Sequence, residues 1–442
     1  MWAILLLEVS VSTTFFVASM IAILIMALII FVALFDPGLR YKIAAPKAEP
    51  LDSGEFLSVL EALTDAKVNH RAELQVLTNG DQFYEQGLRD IGAAVRTINL
   101  EAYIFQKGEI AERYLSALTA RARAGVKVNL LLDALGSAAT RDRYLQAFKD
   151  AGGRVGWYNP AKWNKLPRYN NRTHRELLIV DGQFAYIGGA GIADHWYRNT
   201  ARKPRWRDTM VRVEGDAVRN LQATFAENWL EACGEILTGR EYYPWVEPRV
   251  EPRVEARREA SLLVINSTPS AGGATRARVL FQMLVASAQK TIDVTTPYFL
   301  PDRSLSDEVV RAVERGVHIR IIVPGRHSDH FLTRSSSQRS FGKLLKAGVQ
   351  IFEYEPAMIH AKILMIDGLW SVVGSTNFDN RSFGLNDEVN LAVRDSAFTA
   401  RLEDDFAQDL ANSRQVTYES WRRRPVLSRA PELLGWVLER QQ

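Results

Sequence analysis

The strongest constraint on this chain is a motif that it carries twice. His360-Ala361-Lys362 leads into the apolar run Ile363-Leu364-Met365-Ile366, then come Asp367-Gly368 and a second apolar run that ends in Gly374-Ser375-Thr376-Asn377. Earlier, His174 precedes Asp181 by seven residues and Gly188-Gly189 follow Asp181 by seven, the same spacing as from His360 to Asp367 to Gly374. Such a repeat predicts two equivalent halves. Apolar runs on either side of Asp-Gly predict a hairpin, and strand alternation then puts His360 and Lys362 on one face. An imidazole can attack phosphorus or move a proton, and an ammonium two residues away can neutralise charge on phosphoryl oxygens. Attack by one imidazole and protonation of the leaving oxygen by another calls for two opposed histidines, which a duplicated motif supplies without a metal or other cofactor.

The rest of the pattern alternates helix and strand in each half. Asp81 to Thr97 and Glu109 to Ala124 have helical periodicity, with strand-like Ile98 to Phe105 and Val126 to Leu132 after them. Val279 to Gln289 and Ser304 to Arg315 repeat this, followed by Thr291 to Thr295 and Val317 to Val323. The expected fold class is α/β, two halves each with a largely covered sheet. The expected organisation is an N-terminal segment 1–43, a first half 51–240, a charged proline-containing linker 241–260, and a second half 261–442 with a C-terminal tail. In the linker, Val246-Glu247-Pro248-Arg249 recurs as Val250-Glu251-Pro252-Arg253, the composition of a solvated connector.

Val11 to Phe35 contains no charged residue, which is long enough for a tilted helix across about 30 Å of hydrocarbon. It reads as a transmembrane anchor. Arg40, Lys42 and Lys47 follow it while Glu8 precedes it, so the body is expected on the cytoplasmic side of the inner membrane as a single-pass protein. One cysteine, Cys233, excludes an intrachain disulfide. A net charge of only +4 argues against a dedicated nucleic-acid binder. Basic and aromatic residues cluster beside the first motif, among them Trp196, Arg198, Arg205, Trp206 and Arg207, a composition suited to anionic head groups. His327 and His330 flank Asp329 without further ligand types nearby, so no metal site is expected. Neither a Gly-x-Ser-x-Gly elbow nor a phosphate-binding loop occurs.

Together these motifs resemble the phospholipase D superfamily, whose signature is His-x-Lys-x4-Asp followed by Gly-Ser/Gly-x-x-Asn, and within it the bacterial cardiolipin synthases. The resemblance runs on through Thr296-Pro297-Tyr298-Phe299-Leu300-Pro301-Asp302 and Asn377-Phe378-Asp379-Asn380-Arg381-Ser382-Phe383. It implies a phosphohistidine intermediate, with His174 as nucleophile and His360 as acid and then base. It also implies that Asp208 and Glu388 orient the imidazoles, that Lys362 neutralises charge, and that Gly189, Ser375, Asn377, Arg172 and Glu176 lie on the substrate side. Asp181 and Asp367 match the signature aspartates, but alternation turns them away from the histidines and toward fixing the hairpin. The implied substrates are phospholipids, phosphatidylglycerol first among them. Hydrolysis by the same two histidines, or lipid binding without turnover, are the other readings. The sequence sets no oligomeric state.

The first copy departs from the signature. Glu176 stands in place of its Lys and Gly191 in place of its Asn. A carboxylate about 4 Å from a phosphate oxygen would repel it by about 4 kcal/mol at an effective dielectric near 20. Three readings stay open: Glu176 is held off or protonated while Arg172 or Arg168 supplies charge, the substitution disables the enzyme, or the protein binds lipid without turning it over. Glu176→Lys is expected to raise the rate strongly.

Overall fold

The computed structural model describes residues 13–28, 40–44, 49–161, 170–199, 204–244, 260–270, 274–329 and 331–424. Two sheets repeat one strand order. In the first, the order across the sheet is Ala72–Thr78, Thr209–Gly215, Phe184–Gly188, Leu177–Val180, Thr97–Ala102, Lys127–Asp133 and Arg154–Tyr158. In the second it is Ser261–Ser267, Asn386–Arg394, Trp370–Gly374, Ile363–Ile366, Thr291–Thr295, His318–Pro324 and Gln350–Tyr354, with Val68–Asn69 added at one edge and Ser413–Val416 at the other. The last three strands of each series pair in parallel. The helices Glu109–Arg123 and Arg303–Glu314 supply the crossover connections that parallel neighbours need.

The inner faces of the two sheets share one apolar layer, in which Ile179, Ile187 and Val211 meet Val264, Met365 and Leu391. Gly80–Ala93 and Glu109–Arg123 cover the outer face of the first sheet, and Arg276–Ser287 and Arg303–Glu314 that of the second. Gly54–Thr64, although early in the chain, packs through Phe56, Leu57 and Leu60 into the core of the second sheet. Burial on both faces explains why strands such as Leu177–Val180 and Ile363–Ile366 are apolar at every position. Each such side chain contributes about 1.5–3 kcal/mol when taken out of water.

The two Asp-Gly turns do more than reverse the chain. Asp181 and Gly182 have φ +55° and +63°, and Asp367 and Gly368 have +54° and +66°, the left-handed conformations of a tight hairpin. That turn frees each aspartate to accept from three consecutive backbone N–H groups. Asp181 takes Val95 (2.9 Å), Arg96 (2.7 Å) and Thr97 (2.8 Å). Asp367 takes Gln289 (2.9 Å), Lys290 (2.8 Å) and Thr291 (2.8 Å). Those N–H groups are thereby withdrawn from helical bonding, which is why the helix read to Thr97 ends at Ala93 and the one read to Gln289 ends at Ser287. In both halves the signature aspartate pins the hairpin to the start of the strand beside it, and among the described residues it makes no hydrogen bond to a histidine.

Residues 13–28 are helical, with exposed apolar side chains such as Phe15 at 75%. No helix among the described residues is long and apolar enough to cross a membrane, and the flanks of the expected anchor, residues 1–12 and 29–39, lie outside them. The Val-Glu-Pro-Arg connector and the apolar stretch Leu433 to Leu438 also lie outside the described residues. Trp421 packs on the body: its indole N–H donates to the Gln338 carbonyl (2.6 Å), and its ring fills the space over Gly342.

Asp181→Ala or Asp367→Ala removes a charged acceptor from three N–H groups at once. Each is expected to lower stability by about 2–4 kcal/mol, read as a lower denaturant midpoint at unchanged slope.

Candidate active site

Each half pairs a short segment with the other. Arg172–Thr173 pairs in parallel with Asn386 and Asp387 at the start of Asn386–Arg394, and the His174 N–H donates to the Asp387 carbonyl (2.9 Å). Conversely, Arg207 and Ile359 form a parallel bridge, in which Arg207 N–H donates to Met358 O (2.8 Å) and His360 N–H to Arg207 O (2.7 Å). One residue beyond each bridge a histidine meets a carboxylate. His174 Nδ1 is 3.1 Å from Glu388 Oε1, and His360 Nδ1 is 2.9 Å from Asp208 Oδ2. Both carboxylates have 0% exposure. The acids expected to orient the imidazoles are therefore exchanged, each reaching the histidine of the opposite half.

The loops behind the hairpins complete these pairs. His174 Nδ1 also lies 3.0 Å from the Ser375 carbonyl oxygen, and Ser375 Oγ donates to Glu388. With a carbonyl and a carboxylate as its neighbours, Nδ1 carries the proton. Nε2 then presents a lone pair and has no hydrogen-bond partner among the described residues. Gly189 holds the matching place in the first half, where a Cβ would come within 2.8 Å of Asp208 Oδ1 and 3.0 Å of the His360 carbonyl oxygen. Only a glycine lets these groups close up there.

The two histidines differ in surroundings. His360 is buried, with the rings of Trp196 and Trp206 centred 5.3 Å and 5.4 Å away, and the Trp196 indole donates to Asp208 Oδ2 (3.0 Å). Lys362 Nζ lies 2.8 Å from His360 Nδ1, 3.1 Å from Nε2 and 2.9 Å from the His360 carbonyl. Burial, and then the Lys362 charge, hold the His360 pKa below its ordinary value despite Asp208. Burial likewise holds Lys362 below its ordinary value, against the pull of Asp208 and Glu388. For Asp208, burial would raise the pKa, but the His360 hydrogen bond and the His360 and Lys362 charges bring it below the usual range. His174 is less enclosed and has the Tyr103 ring edge-on, centroids 5.3 Å apart at 69°.

Glu176 is 6% exposed and accepts from the Tyr103 N–H (3.2 Å). Burial holds its carboxyl well above the usual carboxylate range, outweighing the Ile104 and Tyr103 backbone and the Lys362 charge. That shift favours the neutral acid, which carries no charge to repel phosphate, so burial weakens the repulsion expected from the sequence. Arg172 is buried and held by Asp133 (3.4 Å) and the carbonyls of Asn159 (2.8 Å) and Asn171 (2.7 Å). Arg168 lies outside the described residues. Asn377 is buried behind the second hairpin, its Oδ1 without a hydrogen-bond partner among the described residues.

The basic and aromatic cluster divides in the fold. Trp196 and Arg207 are interior, whereas Arg205 and Arg198 are tied to Asp81 and Glu109. Arg207 bonds Asp409 (3.0 Å), the Asp208 carbonyl and Thr209 Oγ1 (2.7 Å each). It thus ties the segment that carries Asp208 into strand Thr209–Gly215 to helix Ser396–Ala411. Between His327 and His330, Asp329 accepts from the Tyr298 hydroxyl (2.6 Å), and His330 lies outside the described residues. The Tyr103 contact and the Arg207–Asp409 tie were not read from the sequence, because both depend on where separate segments land.

A family model described as cardiolipin synthase, PLD-like domain, matches residues 88–229 and 282–410. The chain belongs to this family. It is 33% identical over 371 residues to cardiolipin synthase 1 of Bacillus cereus, covering 82% of this chain and 71% of that one. Over 388 residues it is 32% identical to the major cardiolipin synthase ClsA of Bacillus subtilis, covering 88% and 79%. The crystal structure of phosphatidylserine synthase from Haemophilus influenzae superposes with a TM-score of 0.68 at 16% identity, over 88% of this chain and 100% of that one, a likeness of fold. The superfamily resemblance carried by the duplicated motifs is thus established.

Arg207→Ala would leave the buried Asp409 without its cation. It is expected to cost about 3–5 kcal/mol in a denaturant titration.

Proposed function

We propose that the protein is a phosphatidyltransferase of the cardiolipin synthase type, moving a phosphatidyl group between phospholipids through a phosphohistidine. The observation that carries this reading is the exchange of carboxylates between the halves, which equips two histidines for opposite tasks. His174, its Nδ1 proton held by Glu388 and Ser375 O, offers the Nε2 lone pair to phosphorus. An N–P bond forms as the bond from phosphorus to the head-group oxygen breaks, and His360 gives that oxygen a proton, releasing glycerol when the donor is phosphatidylglycerol. His360 then takes the proton from the hydroxyl of a second phosphatidylglycerol, whose oxygen attacks phosphorus and displaces His174. Two phosphatidylglycerols thus give one diphosphatidyl lipid and one glycerol. Lys362 neutralises phosphoryl oxygen charge, Asp208 and Glu388 keep the rings oriented, and Gly189, Ser375 and Asn377 shape the floor. Tyr103, Trp196 and Trp206 around the imidazoles favour transfer over hydrolysis by limiting water.

The division into segments 1–43, 51–240, 241–260 and 261–442, the single-pass anchor and the cytoplasmic placement belong to the same reading. Exposed apolar side chains on helix 13–28 and the basic residues after it support the anchor. So does Tyr41, whose hydroxyl donates to Asp302 (2.9 Å) and whose N–H donates to Ser304 (3.0 Å), securing the exit of that segment to the body.

Purified protein given labelled phosphatidylglycerol should release glycerol and diphosphatidyl lipid in equal amounts. Phosphatidic acid as the main product, with no diphosphatidyl lipid at high lipid load, would replace the synthase with a hydrolase. His174→Ala and His360→Ala should each lower kcat by at least about 10³-fold. Asp208→Asn and Glu388→Gln, which leave the shape but not the charge, should lower it about 10²- to 10⁴-fold.

A further inference from the structure

Glu176 and Lys362 occupy the same place in the two copies of the motif, two residues after the histidine, yet they are engaged differently. The Lys362 ammonium turns back onto its own histidine, touching both ring nitrogens and the carbonyl. The Glu176 carboxyl instead reaches to the end of strand Thr97–Ala102 and accepts from the Tyr103 N–H (3.2 Å). The Tyr103 ring stands edge-on to His174. Gly191 makes room for this: a Cβ there would lie 3.1 Å from Glu176 Oε1 and 2.6 Å from the Ile104 carbonyl oxygen. At the matching place the second half carries Asn377.

We propose that Glu176 is a positioning residue for His174: its side chain holds the Tyr103 backbone so that the tyrosine ring braces the imidazole. This deepens the reading in which His174 is the nucleophile and rests on it. A freely turning imidazole would spread its lone pair over many directions. Glu388 fixes the ring from the Nδ1 side, and Tyr103 fixes its plane.

Its surroundings favour the uncharged form of Glu176. It shares a pocket with Tyr84, Leu178, Ile192 and Met210, and no Lys or Arg nitrogen lies within 4 Å of it among the described residues. The titratable groups around it do not favour an anion. Glu101 on the neighbouring strand adds like charge, Tyr84, Tyr114 and Tyr186 are phenols held neutral by burial, and Lys362 acts on it only at longer range. A lysine at this position would bring an ammonium into the same enclosed pocket, so the gain expected of Glu176→Lys from sequence becomes a loss.

The test is a double-mutant cycle between Glu176 and Tyr103, with kcat and KM for phosphatidylglycerol measured separately. Glu176→Ala and Tyr103→Ala should each lower kcat by at least about tenfold with KM little changed, and the double variant should fall no further than the worse single one. Glu176→Gln, which keeps the acceptor oxygen, should lose no more than about threefold, and Glu176→Lys at least about thirtyfold. The ratio of Glu176→Gln to the unaltered protein should stay constant between about pH 3.5 and 8, the lower part of which is where an ordinary carboxylate changes charge. Additive losses in the cycle, a rate gain in Glu176→Lys, or a ratio that falls as pH rises would each overturn the proposal. Carbethoxylation of His174 by diethyl pyrocarbonate, followed by peptide mass spectrometry, runs the same cycle without lipid. Non-additive changes there in a protein that makes no diphosphatidyl lipid would uphold the positioning role while the synthase reading fell.

Discussion

The structure depends on an exchange: each half contributes a short segment to the other, and each buried carboxylate is matched to a histidine it could not reach within its own half. Asp208 and Glu388 are fully enclosed, and an enclosed carboxylate without a donor is costly. Their partners, His360 and His174, come across the seam on segments held by backbone pairing at Arg207–Ile359 and Thr173–Asp387. The polar layer at the seam therefore holds together only when both halves are in register. The same register that satisfies the buried acids aims the imidazoles, so stability and chemistry share one geometric requirement.

Around that seam the apolar layer between the sheets supplies the bulk of the attraction but little direction. Ile179, Met365 and Leu391 could tolerate a small slide, as apolar contacts generally do. The hydrogen bonds across the bridges could not, since a one-residue slip turns every side chain to the opposite face. Arg207 adds a third tie, joining the segment around Asp208 to the helix that carries Asp409.

Much of this was legible in the chain because the information was local. Asp181-Gly182 and Asp367-Gly368 announced their turns, and the apolar runs beside them announced strands covered on both faces. The repeat spacing announced two similar halves. What stayed hidden was non-local. The helices end early because carboxylates in distant turns capture the N–H groups of Val95 to Thr97 and Gln289 to Thr291, which no periodicity reveals. Asp208 and Glu388 were identifiable, but the exchange of their partners was not, because the sequence does not say which half a neighbour comes from. Trp196 and Arg207 looked like surface residues by composition, and they are interior because specific acceptors, Asp208 and Asp409, wait for them. Glu176 looked like a repelling charge because burial, which decides its protonation, is a property of the folded chain.

The position of the Lys362 ammonium against its own histidine has a kinetic meaning. Its charge is, after burial, the second cause that lowers the His360 pKa. A phosphodiester drawing Nζ toward its oxygens would remove that cause and add a negative charge of its own nearby, and both changes favour a protonated ring. The imidazole would thus gain its capacity to donate when there is a leaving oxygen to receive the proton. Contact of a phosphodiester with Lys362 and a rise in the His360 pKa are thereby coupled.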